Sequence, residues 1–213
     1  STLQEARAFR GSFATAQGRY LYGEDRGQFT DMAWGGVVEA LPDQERAARV
    51  AALHLAEKPE PRDVLLVGPG ALAVAEQFLA IRSFRSITWL HPDPAYPAQL
   101  GKALSADHAS RFRRVDAPAL DARAFLSASP RRFDLAILHL PETLSLSLNR
   151  FTTREFLACV RQSLAPDGVM SLRIAGGENA LGPELANLGA SGLATVRAVF
   201  PHVAISPGSE TWI

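Results

Sequence analysis

The chain has 213 residues, 47% of them hydrophobic, with 22 basic side chains against 22 acidic ones. That is enough for one substantial core, or a main domain with a small appendage. Zero net charge offers no electrostatic case for nucleic acid or an anionic membrane, because either would show as a basic excess or a basic stripe; no nucleic-acid partner is expected.

A single cysteine, Cys159, with no Cys or His near it at metal-ligand spacing, supports neither a disulfide framework nor a zinc site, so no metal is expected and a reducing, cytoplasmic setting fits best. The most apolar run, Val64 to Ala75, is interrupted by Gly68, Pro69 and Gly70 and is too short for a membrane span. No signal peptide is visible. The chain starts at Ser1 and stops inside an apparent strand at "SPGSETWI", so it reads as a domain cut from a longer polypeptide.

Residues 12 to 41 alternate short β-prone runs with the turn formers Gly18, Gly23, Gly27 and Gly35-Gly36, predicting a small antiparallel cap of hairpins over residues 1–41. "PDQERAARVAALHLAEKP" then places Ala47, Val50, Ala51, Leu53, His54 and Leu55 on an amphipathic helix opened by Pro42-Asp43 and closed by Pro59. Beyond Arg62 the strands VLLVG, SITWLH, RFRRV, FDLAILHL and GVMSLRI alternate with helical patterns ending near Ile81, Leu104, Ser127 and Leu164. That rhythm predicts an α/β core over residues 42–213, with a mainly parallel sheet and helices on both faces. A helix over 183 to 198 and two short runs about Pro207-Gly208 close it with an antiparallel hairpin, making seven strands in all.

"VLLVGPGALA" puts Gly68, Gly70 and Ala73 at G-x-G-x-x-A spacing between a strand and a helix, where backbone can approach a nucleotide at a helix N-terminus. A glycine turn needed only for tight strand-to-helix packing would look the same. The next strand ends in "WLHPDP", where nucleotide-binding folds place an acid on the ribose; Asp93 suits that role and equally suits a helix start. Asp121 and Ala122 follow the third strand, on an adenine amine or in a first helical turn. His139 follows the strand FDLAIL at its carboxyl end, where ligands sit in open α/β folds. His54, His108 and His202 have no evident partner and receive no role.

"QGRYLYGEDRGQFT", "RDVLLVGPG", "HPDP", "DARAFL", "FDLAILHLPE", "LNRFTTREFLACVRQSLAPDGVMSL" and "VFPHVAISPG" occur in the order and spacing of the spermidine synthase-like (polyamine aminopropyltransferase) family. From about residue 12 to the end the chain resembles that family, particularly a divergent bacterial branch in which such a domain is fused to multi-pass membrane segments. "LNRFTTREF" with the DGV turn is the most specific piece and the glycine motif the least.

The resemblance implies a class I methyltransferase-like (Rossmann-like) core with an N-terminal β cap. It also implies decarboxylated S-adenosylmethionine as donor of an aminopropyl group to a diamine, with S-adenosylmethionine itself as the alternative ligand. Carried over by position, the glycine loop is Gly68, Pro69, Gly70 and Ala71, without the aspartate the family has in place of Ala71. The ribose acid falls on His91, the adenine-side pair on Asp121 and Ala122, and the cap glutamine on Gln28. The catalytic aspartate falls on His139 and the second acid of that loop on Glu142. As partners the resemblance admits an amine acceptor, a homodimer and, in the parent chain, a tether to a membrane domain.

A diamine is a dication at neutral pH, and holding it with one amine free to attack calls for carboxylates. Imidazoles at His91 and His139 remove that charge, although a histidine can act as base toward a less charged nucleophile. The leading expectation is therefore an adenosyl-binding, spermidine synthase-like transferase domain with altered activity. The alternatives are a non-catalytic regulatory or interaction module on the same fold and an S-adenosylmethionine-dependent methyltransferase; an NAD enzyme fits least.

Overall fold

The computed structural model describes residues 9–141, 146–174, 183–206 and 211–213. Four strands, β1 (Gly11–Ala14), β2 (Arg19–Asp25), β3 (Gln28–Ala33) and β4 (Gly36–Leu41), form an antiparallel sheet in sequence order. Gly27 and Gly35 turn its hairpins at φ +78° and +79°, a region that costs glycine little. Helix α1 (Arg46–Glu57) leads from this sheet to the second one.

The second sheet contains β5 (Asp63–Val67), β6 (Ser86–Leu90), β7 (Phe133–Leu138), β8 (Leu164–Ile174) and β9 (Thr211–Trp212), ordered β6-β5-β7-β8-β9. Pairing is parallel until β9, which runs antiparallel to β8. Seven strands were expected; among the described residues five form, and two further positions are single bridges, Thr88 with Asp116 and Ser206 with Trp212. The α/β class stands.

The predicted strand RFRRV is the clearest departure. Ala106–Phe112 is helix, and only Val115-Asp116 runs beside β6, where Asp116 exchanges backbone bonds with Ile87 and Trp89. In the helix His108 is buried against Glu76 of the helix that follows β5, and Phe112, one turn on, packs on the core. The helix expected to end near Leu104 is α3 (Tyr96–Ala103), closed by an extended Leu104, and α4 (Ala106–Phe112) follows it where no helix was expected. The expected Pro207-Gly208 turn lies outside the described residues.

Strand alternation divides the core. Val64, Leu66, Ile87, Trp89, Leu135 and Ile137 face the amino-terminal sheet, α1 and α2 (Ala71–Ile81); Leu65, Val67, Leu90, Ala136 and Leu138 face α5 (Ala122–Ala128), α7 (Arg154–Gln162) and α8 (Pro183–Val199). A short helix, α6 (Leu146–Asn149), precedes α7. Thr153 accepts a bond from the Phe156 N–H and so caps α7. Among the described residues no helix is long and apolar enough to cross a membrane.

Candidate functional site

Val67, Leu90 and Leu138 are in register across three adjacent parallel strands, so the residues that follow them share one end of the sheet. Those residues are Gly68, His91 and His139. Gly68, at φ +115°, is held from both sides: its N–H donates to Leu90 O at 3.1 Å, and its carbonyl accepts from Trp89 Nε1 at 2.9 Å. A Cβ on Gly68 would lie 2.3 Å from His139 O. Gly70, at φ +74°, caps α2, whose first residue is Ala71, and a Cβ there would meet His139 Cε1 at 3.1 Å. The turn is thus built around the β7 tip, and glycine is required at both positions.

His139 is buried, and its Nδ1 donates to Pro69 O at 2.8 Å. His91 is buried too, with its ring stacked on Tyr96 at 4.1 Å. His91 Nδ1 lies 3.0 Å from Asp93 N and 3.1 Å from Asp93 O, and Nε2 is buried without a hydrogen-bond partner among the described residues. Burial lowers the His91 pKa to about 4, outweighing the nearby Asp93. The ring is neutral at physiological pH.

The two aspartates are engaged within the chain. Asp93 Oδ2 accepts the hydroxyls of Thr15 and, at 2.9 Å, Tyr20, while Oδ1 accepts Ala95 N–H. It ties the amino-terminal sheet to the β6 tip. Asp121 caps α5 through bonds from Arg123 and Ala124 N–H and pairs with Arg150 at 3.0 Å. Arg150 also reaches Pro92 O at 2.8 Å, joining the loops after β6 and before α5. Ala122, the first residue of α5, is buried.

One expected site residue is not in this cluster. Gln28 is exposed at the β2-β3 turn, opposite Asp25, beside Gly27, whose carbonyl faces His108 on α4. A hairpin tip cannot also reach the strand ends of the core. Glu142 lies outside the described residues.

Instead the amino-terminal sheet contributes Asp31 and Glu39, both fully buried. Glu39 Oε1 accepts Gly70 N–H at 2.7 Å, and the N–H groups of Leu72 and Ala73 also favour its charged form. It fills the seat that the start of α2 would offer an anion. Burial, then the charge of Asp31, nonetheless holds Glu39 well above the usual carboxylate range, and Oε2 has no hydrogen-bond partner among the described residues. Asp31 accepts Glu39 N–H at 2.8 Å and Tyr96 O–H at 2.7 Å; burial raises its pKa to about 6 against those bonds. Sequence reasoning missed both. Phe29, Asp31 and Ala33 alternate inward along β3, so Asp31 was visible as an inward-facing acid. Glu39 was not: Val38 and Glu39 are both buried, across a register shift between Asp31 and Met32.

No protein-family model matches the chain. A polyamine aminopropyltransferase of Oceanobacillus iheyensis is 28% identical over 117 residues, 53% of this chain and 23% of that protein; the matched part spans under a quarter of the relative's length. A spermidine synthase solved in complex with the transition state analogue AdoDATO superposes with a TM-score of 0.70 over 96% of this chain and 71% of that one, at 15% identity. This chain has a spermidine synthase-like fold. The spermidine synthase of Thermotoga maritima gives a TM-score of 0.68 at the same coverage and identity, so the spermidine synthase-like fold includes the amino-terminal sheet as well as the core.

Proposed function

We propose that this spermidine synthase-like chain is a transferase-fold domain, a cap of residues 1–41 on a core of residues 42–213, whose crevice takes an adenosyl compound but does not make spermidine from putrescine. One observation carries the reading. The side chains at the tips of β6 and β7 are imidazoles, His91 and His139, each bonded to main chain, and the neighbouring Asp93 and Asp121 are taken up by donors of the chain itself. At the β6 and β7 tips a dicationic diamine therefore meets imidazoles and engaged carboxylates, and the nearby Glu39 carboxyl is already bonded to Gly70 N–H.

In this reading Gly68, Gly70 and Ala71 bring backbone close to the ligand, His91 and Asp93 flank the ribose, Asp121 and Ala122 the adenine, and His139 the reacting carbon together with Glu142. Glu39 discriminates among ligands. Its carboxyl occupies Gly70 N–H, so the carboxylate of S-adenosylmethionine or the pyrophosphate of NAD finds that seat filled, whereas the ammonium tail of decarboxylated S-adenosylmethionine meets an acid. The solved relative carrying AdoDATO supports an adenosyl ligand on this fold. When bound, such a ligand supplies the activated carbon; the chain holds and orients it. The saturation of Asp93 and Asp121 also favours a second reading, a non-catalytic module that keeps the fold.

Calorimetric titration is expected to rank decarboxylated S-adenosylmethionine and methylthioadenosine above S-adenosylmethionine, with NAD weakest. Aminopropyl transfer to putrescine should be undetectable in wild type and appear in the double variant His139→Asp, His91→Glu. Misplacing a general base alone costs roughly 10²- to 10⁴-fold. Robust wild-type turnover would overturn the proposal; absence of binding to every adenosyl compound would leave the module reading.

A further inference from the structure

At the opposite end of the sheet the chain gathers arginines that are scattered in sequence. Four neighbouring extended segments run parallel in the order Asp116, β6, β5, β7, and arginine stands just before each: Arg113 and Arg114, Arg85, Arg62, and Arg131 with Arg132. At the usual strand spacing the row is about 14 Å long. All six are exposed. Asp63 pairs with Arg85, and Asp116 with Arg131. Asp134 is occupied by the N–H groups of Arg62 and Asp63. Among the described residues Arg62, Arg113, Arg114 and Arg132 have no carboxylate partner; Arg132 reaches only the carbonyls of Pro130 and Arg131. A chain of zero net charge therefore carries a basic stripe at one end, assembled from four loops and invisible in composition.

We infer that this end of the domain docks on a bilayer bearing anionic headgroups. Arginine forks match phosphate and carboxylate oxygens, and each basic side chain near such a surface contributes to binding by attraction to its negative potential. Ile81, 56% exposed at the end of α2, adds an apolar side chain at the same edge. Single-stranded nucleic acid would call for a groove with free aromatic rings. Here the nearby Phe84 and Phe125 are covered by the guanidinium groups of Arg82 and Arg131. Docked this way, the crevice at the carboxyl ends of the strands faces water.

The test is co-sedimentation of the 213-residue chain with phosphatidylcholine vesicles, with and without phosphatidylglycerol. Binding is expected only with phosphatidylglycerol, and high salt should release it. Arg62→Glu with Arg113→Glu and Arg132→Glu should lower partitioning about a hundredfold, while Arg123→Glu on α5 should not change it. The milder glutamine triple should fall between these, with thermal melts confirming that each variant folds. The inference is overturned by no vesicle binding in wild type, by equal binding of the triple glutamate variant, or by arginine-dependent binding to single-stranded RNA without binding to vesicles.

Discussion

At the scale of single residues the question is which polar groups hold the molecule and which remain for a ligand. Asp93 belongs to the first class. Its carboxylate is buried and satisfies two hydroxyls from the amino-terminal sheet, so Asp93→Ala should cost about 3 kcal/mol, because stranded buried donors are dearer than the bonds themselves. Urea unfolding at pH 7 checks this; stability within about 1 kcal/mol of wild type, with adenosyl binding lost, would make Asp93 a ligand residue instead. Gly68→Ala is a harsher change. It combines a positive φ with a Cβ at 2.3 Å from His139 O, and backbone cannot retreat as a side chain can. A loss of about 3 kcal/mol or more is expected in the same assay.

At the scale of elements, the strands of the core need little beyond their own residues. "DVLLV" is buried along its whole length between two layers of helices, and an uninterrupted apolar run is what such a strand requires. Helix α7 opens on Thr153, and Thr153→Ala should destabilise by about 1 kcal/mol through loss of the N-cap, read as a lower melting temperature with unchanged helix content. The amino-terminal sheet differs. It is held to the core by Glu39 on Gly70, Asp31 on Tyr96, and Thr15 and Tyr20 on Asp93, so its docking is polar as well as apolar. An adenosyl ligand entering beside Gly70 has to share the α2 N-terminus with Glu39.

For the whole molecule, the buried ionisable groups set a pH response. Burial lowers both His54 and His91 to about 4, below the unfolded value of about 6.5, so the unfolded chain takes up protons first. Stability from the neutral rings is complete above about pH 6.5 and is lost as pH falls through about 4. Asp31, raised to about 6, acts in the opposite sense: its contribution is present below about pH 4 and lost as pH rises through about 6. The two trends oppose each other in acid. His54→Phe keeps the ring edge on Trp212 and removes the titration, so its acid loss between pH 6.5 and 4 should be shallower than wild type by up to about 1.4 kcal/mol per pH unit. Unchanged slopes in urea titrations at pH 7, 5.5 and 4.5 would assign the acid response elsewhere.

Contiguous residues by themselves determined the α/β class, the strands at VLLV, SITWL and FDLAIL and the glycine turn after β5, because each rests on periodicity or on turn chemistry within a few positions. They also placed His91 and His139 at one end of the sheet, since each ends an apolar run. What RFRRV would become was not legible: it lies in an amphiphilic stretch, and its course, helix as far as Phe112 and a single bridge at Asp116, follows from contacts with α2 and β6 that are distant in sequence. Gln28 was carried over by resemblance alone, and its exposed place opposite Asp25 at the β2-β3 turn could be seen only in the folded sheet. The partners of Asp93 come from residues 15 and 20, the seat of Glu39 from Gly70, and the arginine stripe from four separate loops. Burial and hydrogen bonding between distant segments are chosen when layers pack, so only the tertiary structure decided which acids were committed to holding the fold.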